Sequence, residues 1–340
     1  MNRFITHLPF VLFALVCSQA AWAISETGYS ENYSRNVLPF LLSGERFAIH
    51  PNSKVELVGV RFVHPHARGT VVVLTGRSEP WLKYGEVFYD LHQMGFSVYS
   101  YDHRGQGLST HLSNRNPQIG HILRFEDYVD DLALVTRKVI LPSVPVGEPL
   151  YLLAHSMGGA IAAGYLERGL NPYRAAVLNS PMLQIDTAPY PESVARVIVL
   201  GAMRLGQGGA YALGRGDLIP GFPFEKNDVT HSRARFDMSE QTITRFPSIG
   251  VGGPSSEWVY RSLVASREIT ELSARIRTPL LMLQAGEDHV VLLPRQAQAC
   301  DLAFDCQLVH YPKARHEILM EVDGIRNRAF EQVDRFFSAH

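Results

Sequence analysis

Ser156, Asp288 and His316 are the residues of this 340-residue chain whose types and placement can do chemistry together. Ser156 stands in Ala154-His-Ser-Met-Gly-Gly159, at the end of the apolar run that starts at Tyr151. A serine hydroxyl is a poor nucleophile until a base takes its proton, and that base must be oriented by a third group, usually a carboxylate. Asp288 lies in Gly286-Glu-Asp-His-Val290, just after the apolar run 279–284, and His316 lies in Lys313-Ala-Arg-His-Glu317, just after a second run that ends at Tyr311. The order nucleophile, acid, histidine, with each partner on a loop after a late strand, is the order of acyl transfer from a strand–turn–helix serine. Glu287 is the rival acid, and His289 and His310 are rival bases.

A strained turn after a buried strand would lift the Ser156 hydroxyl clear of a sheet. Gly158, Gly159 and Ala160 are small enough for a helix to leave close against that strand. The first glycine of the usual G-x-S-x-G pattern is Ala154 here. The helix N-terminus would aim N–H groups at a developing oxyanion. The expected donors are the backbone N–H groups of Met157 and Arg77, the latter in Thr75-Gly-Arg-Ser78 after the β-branched run Thr70–Leu74. His103, Asp102 and Arg104 fall in the glycine-rich loop 102–107, where packing and loop bracing are the expected roles. His155 is expected to point away from the site.

The elements needed to hold these loops are visible in the pattern. Buried strands at 70–74, 96–101, 151–155, 174–179, 279–284 and 307–311 alternate with helical spacing at 81–94, 125–139, 294–302 and 323–337. Such alternation predicts right-handed βαβ units, a mostly parallel sheet and an α/β fold. Residues 55–63 alternate apolar and polar, as an edge pair does. Residues 24–50 show no clear period and read as an extension lying over the domain. From 181 to 277 the alternation stops, and this stretch reads as a helical cap inserted into a core of 24–180 and 278–340. Within it, Val194, Val197, Ile198 and Leu205 are expected to share one face of a helix.

An apolar fraction of 46% fits a globular core, and a net charge of −1 excludes the basic excess of a nucleic-acid binder. No metal-ligand cluster or nucleotide motif appears, so no cofactor is expected. Residues 1–23 read as a signal peptide: Arg3, the apolar stretch 8–16, then Ala21-Trp-Ala23 as a cleavage site. Export to a periplasmic or extracellular location is expected, with an uncleaved membrane anchor as the alternative. Of the three cysteines, Cys17 lies in that leader; Cys300 and Cys306 form either a disulfide, as oxidising compartments permit, or two buried thiols.

The segments Thr75-Gly-Arg-Ser78, Lys83-Tyr84, Asp102-His-Arg-Gly-Gln-Gly107, Ala154-His-Ser-Met-Gly-Gly159, Val251-Gly-Gly-Pro254 and His316-Glu-Ile-Leu319 together resemble the lysophospholipase L-two family. These are bacterial serine hydrolases of the α/β-hydrolase fold related to monoacylglycerol lipases. The likeness runs from about residue 30 to the C-terminus, and the family tolerates alanine at position 154. It implies hydrolysis of a lysophospholipid acyl ester, with acyl transfer to phosphatidylglycerol as a side activity and transient contact with a membrane surface. The family is usually linked to the cytoplasmic side of the inner membrane, in contrast to the leader read here. A monoacylglycerol lipase, a general carboxylesterase and a non-catalytic lipid-binding protein are the alternatives. For a phosphate-bearing lipid, Arg196, Arg204 and Arg215 in the cap are the candidate head-group contacts, and the cap valines the candidate tail contacts; solvated arginines and core-packing valines are the bland alternative.

Overall fold

The computed structural model describes residues 23–340; the leader read at 1–23 lies outside them except for Ala23. Eight strands form one sheet: β1 (Glu45–Asn52), β2 (Val55–Phe62), β3 (Thr70–Leu74), β4 (Ser97–Tyr101), β5 (Leu150–His155), β6 (Tyr173–Asn179), β7 (Leu280–Ala285) and β8 (Cys306–Tyr311). Their order is β1-β2-β4-β3-β5-β6-β7-β8. β1 pairs antiparallel with β2, and β2 with β4, while every pair from β4 to β8 is parallel. The expected unpatterned extension therefore includes an edge strand, β1. Its side chains are half to fully exposed, so hydrophobic periodicity had little to report there.

The strand period of two divides the side chains between two cores. Val72, Leu74, Leu152, Ala154, Leu178 and Met282 face one side. There they meet helices α2 (Glu126–Val135), α3 (Met157–Leu166), α6 (Ser256–Leu272) and α7 (Pro294–Leu302). Val71, Val73, Leu153, Val177, Leu281 and Leu283 face the other side, against α1 (Gly85–Gln93) and α8 (Asp323–Ala339). A sheet buried on both faces reads as continuous apolar runs, which is why the central strands were legible.

Between β6 and β7 the chain leaves the sheet through α4 (Glu192–Arg204) and α5 (Arg233–Arg245). Helix α6 falls inside the stretch expected to be cap, but it buries Trp258, Leu263, Ala265 and Ile269, and Trp258, Ala265 and Ile269 join the core that holds Val72 and Leu152. The overlying segment thus ends near Ser255 rather than at 277. One buried guanidinium ties it down: Arg235 of α5 meets Glu86 of α1 at 3.0 Å, Asp323 of α8 at 2.8 Å and the carbonyl oxygen of Glu321 at 2.8 Å. Among the described residues no helix is long and apolar enough to cross a membrane. Cys300 of α7 and Cys306 of β8 are joined by a disulfide, with Cα atoms 5.3 Å apart.

The serine turn depends on glycine. A Cβ at Gly158 would lie 2.6 Å from the carbonyl oxygens of Leu74 and Thr75, backbone atoms that cannot yield cheaply. Gly201 in α4 has nothing within 4 Å of the same position. Gly158→Ala is expected to destabilise by about 1–3 kcal/mol through overpacking. Gly201→Ala is expected to stabilise by about 0.5–1 kcal/mol, since alanine loses less backbone freedom in a helix. Urea unfolding of the two variants checks both signs.

Candidate active site

Ser156 sits at φ 52° and ψ −116°, a conformation that a non-glycine residue adopts only when its surroundings enforce it. The enforcement is visible. Its N–H donates to the Asn179 carbonyl at 3.0 Å, and its own carbonyl accepts from Ala160 at 3.1 Å and Met182 at 2.9 Å. The strained turn ends β5 and begins α3, so the first helical N–H, that of Met157, has no partner within the helix.

His316 Nε2 lies 2.8 Å from Ser156 Oγ, and His316 Nδ1 lies 2.7 Å from Asp288 Oδ2. Asp288 Oδ1 accepts the N–H groups of Val290 at 2.8 Å and Val291 at 2.9 Å. Burial pushes the Asp288 carboxyl up, but the bond to His316, its charge and the two backbone donors outweigh this and hold it below the ordinary carboxylate range. An ionised Asp288 fixes the proton on Nδ1 and leaves Nε2 to accept from the serine. The rivals stand elsewhere. Glu287 reaches His231 Nε2 at 3.2 Å, His310 is exposed on β8, and His289 is exposed at the cleft wall.

His155 does not point away. Its ring lies tilted against that of His316, with centroids 4.7 Å apart, and its Nδ1 lies 2.9 Å from Asn179 Nδ2 and 3.1 Å from the Asn179 carbonyl oxygen. Burial, with His316 close by, pulls His155 down to about 4, so it presents an uncharged face to the imidazolium formed during proton transfer. His103 is likewise pulled to about 4 by burial, and its Nε2 meets the Thr75 carbonyl at 3.1 Å. Beside it, Gln106 donates to the Gly76 carbonyl at 2.8 Å and accepts from Ser78 N–H at 3.1 Å. The loop 102–107 therefore braces the loop 75–78, with Asp102 holding the N–H groups of Trp81 at 2.6 Å and Leu108 at 2.7 Å and Arg104 bonded to Asp131.

Sequence reading missed a buried ionic chain behind these loops. Glu79 accepts from Gly76 N–H at 2.7 Å and Tyr84 Oη at 2.6 Å, and the Lys83 ammonium bonds both Glu79 and Glu317. Against the cost of burial, the charge of Lys83 and the hydrogen bonds from Lys83 and Tyr84 hold Glu79 well below the carboxylate range, and the two carboxylates hold Lys83 well above the usual ammonium range. The one signal was a Glu and a Lys four residues apart, which reads equally well as a solvated helix pair.

The serine opens into a cleft of about 830 Å³. Gly76, Arg77, His155, Ser156 and His316 line its floor, and Ile185, Ile198, Val199, Leu213, Leu218 and Ile243 line the overlying wall. On α4 the residues that face the cleft are Ala195, Ile198 and Val199; Val194 and Val197 are 42% and 70% exposed on the other side. The expected apolar face was rotated because valines occur on both sides of that helix. Of the three expected head-group cations, Arg215 lines the cleft, whereas Arg196 and Arg204 do not.

The model of the family of serine aminopeptidases S33 matches residues 65–323. Lysophospholipase L2 of Escherichia coli K12 is 37% identical over 291 residues, covering 83% of this chain and 84% of that protein. The probable lysophospholipase L2 of Haemophilus influenzae is 30% identical and covers 89% of this chain and 95% of its own length. The chain belongs to the lysophospholipase L2 family of α/β-hydrolases. A soluble variant of monoglyceride lipase from Saccharomyces cerevisiae shares the fold, with a TM-score of 0.69 and 17% identity over 86% of this chain and 94% of that one. As a family member, the chain is a carboxylic ester hydrolase.

Asp288→Asn is expected to lower kcat by about 10³–10⁴-fold, because the amide favours the wrong imidazole tautomer. Glu287→Gln is expected to keep most of the activity, since its carboxylate faces His231. Steady-state kinetics on a p-nitrophenyl ester separates the two. A second expectation concerns stability. His103 and His155 refuse a proton in the fold at pH values where the unfolded chain accepts one, so their contribution to stability is full above about 6.5 and is lost as pH drops from 6.5 toward 4. The urea midpoint of His103→Gln should therefore lose less than that of the parent across that window.

Proposed function

We propose that this protein hydrolyses the acyl ester of lysophospholipids through an acyl-enzyme on Ser156. The observation that carries the reading is the hydrogen-bonded sequence Ser156–His316–Asp288 at the floor of a cleft whose upper wall is apolar. Ser156 Oγ attacks the ester carbonyl as His316 Nε2 takes its proton. The charge that grows on the carbonyl oxygen is received by the backbone N–H groups of Met157 and Arg77, donors fixed in place before the reaction begins. His316 then protonates the departing glycerophospho-alcohol. A water molecule, or a lipid hydroxyl in acyl transfer, gives its proton to His316 and attacks the acyl-enzyme, and His316 returns the proton to Ser156 Oγ as the acyl group leaves. The single acyl chain of the substrate lies along Ile198, Val199, Leu218 and Ile243, where an apolar tail is removed from water.

We propose further that the enzyme works outside the cytoplasm, in transient contact with a membrane surface. The Cys300–Cys306 bridge and the leader of residues 1–23 support export. Leu213, 71% exposed and part of the cleft wall, and Val197 and Ile219, also largely exposed, offer apolar contact near a lipid surface. Ser156→Ala is expected to lower turnover of lysophosphatidylethanolamine by about 10³-fold or more, as loss of a nucleophile does. A fluorophosphonate probe should label the parent and pass over the variant; equal labelling of both would remove Ser156 from the reaction. Fractionation of the expressing cells, with mass spectrometry of the unreduced digest, tests export and the bridge together.

A further inference from the structure

Arg77 carries a charge that the fold does not neutralise. Its side chain is partly buried on the wall of the Ser156 cleft, and among the described residues it pairs with no carboxylate. A guanidinium has five N–H donors. Here one nitrogen donates to Ser78 Oγ at 2.9 Å and another to the carbonyl of Gly252, while Nε is buried with no partner. The Trp258 ring lies 5.2 Å away. Burial, and Arg215 beside it, pull the group down to about 10 against the pull of two tyrosines, which leaves it a cation at neutral pH. Burying a cation without an anion is costly, and folds avoid it unless a partner arrives.

Two glycines make room for these side chains. A Cβ at Gly120 would meet the Arg77 guanidinium at 2.9 Å, and one at Gly253 would meet the Arg215 side chain at 2.5 Å. Gly252 lends its carbonyl to Arg77. Nearby carboxylates are already engaged. Asp217 bonds Asn116 at 2.8 Å and the Tyr211 hydroxyl; Glu240 accepts from Gly221 and Phe222; Asp186 accepts from Ala188; Glu79 and Glu317 share Lys83. Asp186 and Glu240 also line the cleft, yet none of these carboxylates forms an ion pair with Arg77, so its guanidinium stands at the cleft with no anionic partner among the described residues.

We propose that the Arg77 side chain, with Arg215 beside it, binds the phosphate of the lysophospholipid head group and so selects phospholipid over glyceride. This rests on the lysophospholipase reading and assigns the head-group subsite within it. The phosphorus of a monoacyl phospholipid lies only a few bonds beyond the ester oxygen. A phosphate at this point follows from the ester carbonyl sitting at Ser156 and its oxygen at the N–H of Arg77. Backbone and side chain of one residue then serve two ends of the same substrate. Bidentate contact to phosphate suits a guanidinium whose fork is already half held.

The test compares lysophosphatidylethanolamine and monoacylglycerol of the same acyl chain, on the parent, Arg77→Gln, Arg77→Lys and Arg215→Gln. The ratio of their kcat/KM values is expected to fall about tenfold in Arg77→Gln, carried by KM, and less in Arg77→Lys, where the charge survives. Arg215→Gln should shift the ratio in the same direction by a smaller factor. Equal losses on both substrates, or an unmoved ratio, overturn the proposal and mark Arg77 as a brace for Gly252. A second arm uses p-nitrophenyl butyrate hydrolysis with decyl phosphate, decanol or inorganic phosphate as competitor at matched ionic strength. Decyl phosphate should inhibit the parent about tenfold more strongly than decanol, and lose that advantage in Arg77→Gln. Inhibition by inorganic phosphate as strong as by decyl phosphate would replace the tethered head group with a free-anion site and overturn the proposal. If Ser156→Ala abolishes ester hydrolysis while both arms fail, the serine mechanism stands and the subsite falls. If the parent cleaves no monoacyl lipid, the lysophospholipase reading falls, and the competition arm still decides whether Arg77 holds phosphate.

Discussion

The Lys83 ammonium, buried between Glu79 and Glu317, is the interaction on which the geometry of the site depends. Glu79 holds Gly76 N–H and with it the loop that carries Arg77, while Glu317 directly follows His316. One cation thus sets the distance between the oxyanion loop and the base loop. Such a cluster gains little net stability, because desolvation offsets most of the attraction. What it supplies is register. With either carboxylate absent, Lys83 would keep one partner and no longer tie the two loops to each other. The strained Ser156 backbone, the bond to His316 and the brace from Gln106 all require those loops to be held first.

The sheet and the reacting residues were legible in the sequence because each obeys a rule with little freedom. Buried parallel strands must be apolar throughout, and Asp288 and His316 must follow late strands. The supporting residues were not legible because burial inverts the ordinary meaning of their types. Glu79, Lys83 and Glu317 look like surface charges, and only the fold shows that they lie within. His155 was misjudged for a related reason: a residue preceding the nucleophile has no pattern that fixes where its ring turns. Helix α4 has valines on both sides, so composition could not choose its cleft face, and Arg196 and Arg204 were carried with the wrong one. Helix α6 has a helical period that tells of an apolar face but not of which partner covers it. Strand β1 is exposed along much of its length and left no alternation to read.

The overlying segment is anchored differently from the core. One hold on the rest of the molecule passes through Arg235, which gathers Glu86, Asp323 and the carbonyls of Glu321 and Ile24. Ser232, at the start of the same helix, bonds Glu26, and His231 stands between Glu287 and Glu321. A second set of polar ties holds the part of the segment that walls the cleft: Leu218 N–H donates to Gln118 at 2.7 Å, Asn116 donates to Asp217 at 2.8 Å, and Arg295 pairs with Glu192 at 2.9 Å. The segment is thus fixed to the core at both ends of the cleft.

The hydrogen bond between Ser156 and His316 joins residues 160 positions apart in sequence. It needs β7 and β8 in place at the edge of the sheet beyond β6, since Asp288 and His316 stand on the loops that follow them. Contacts of such long range close late in folding, because the loop entropy must be overcome first. During synthesis the nucleophile emerges long before its base. A partly made chain has the serine and lacks the means to ionise it, so the ester hydrolase stays silent until its last strands are in place.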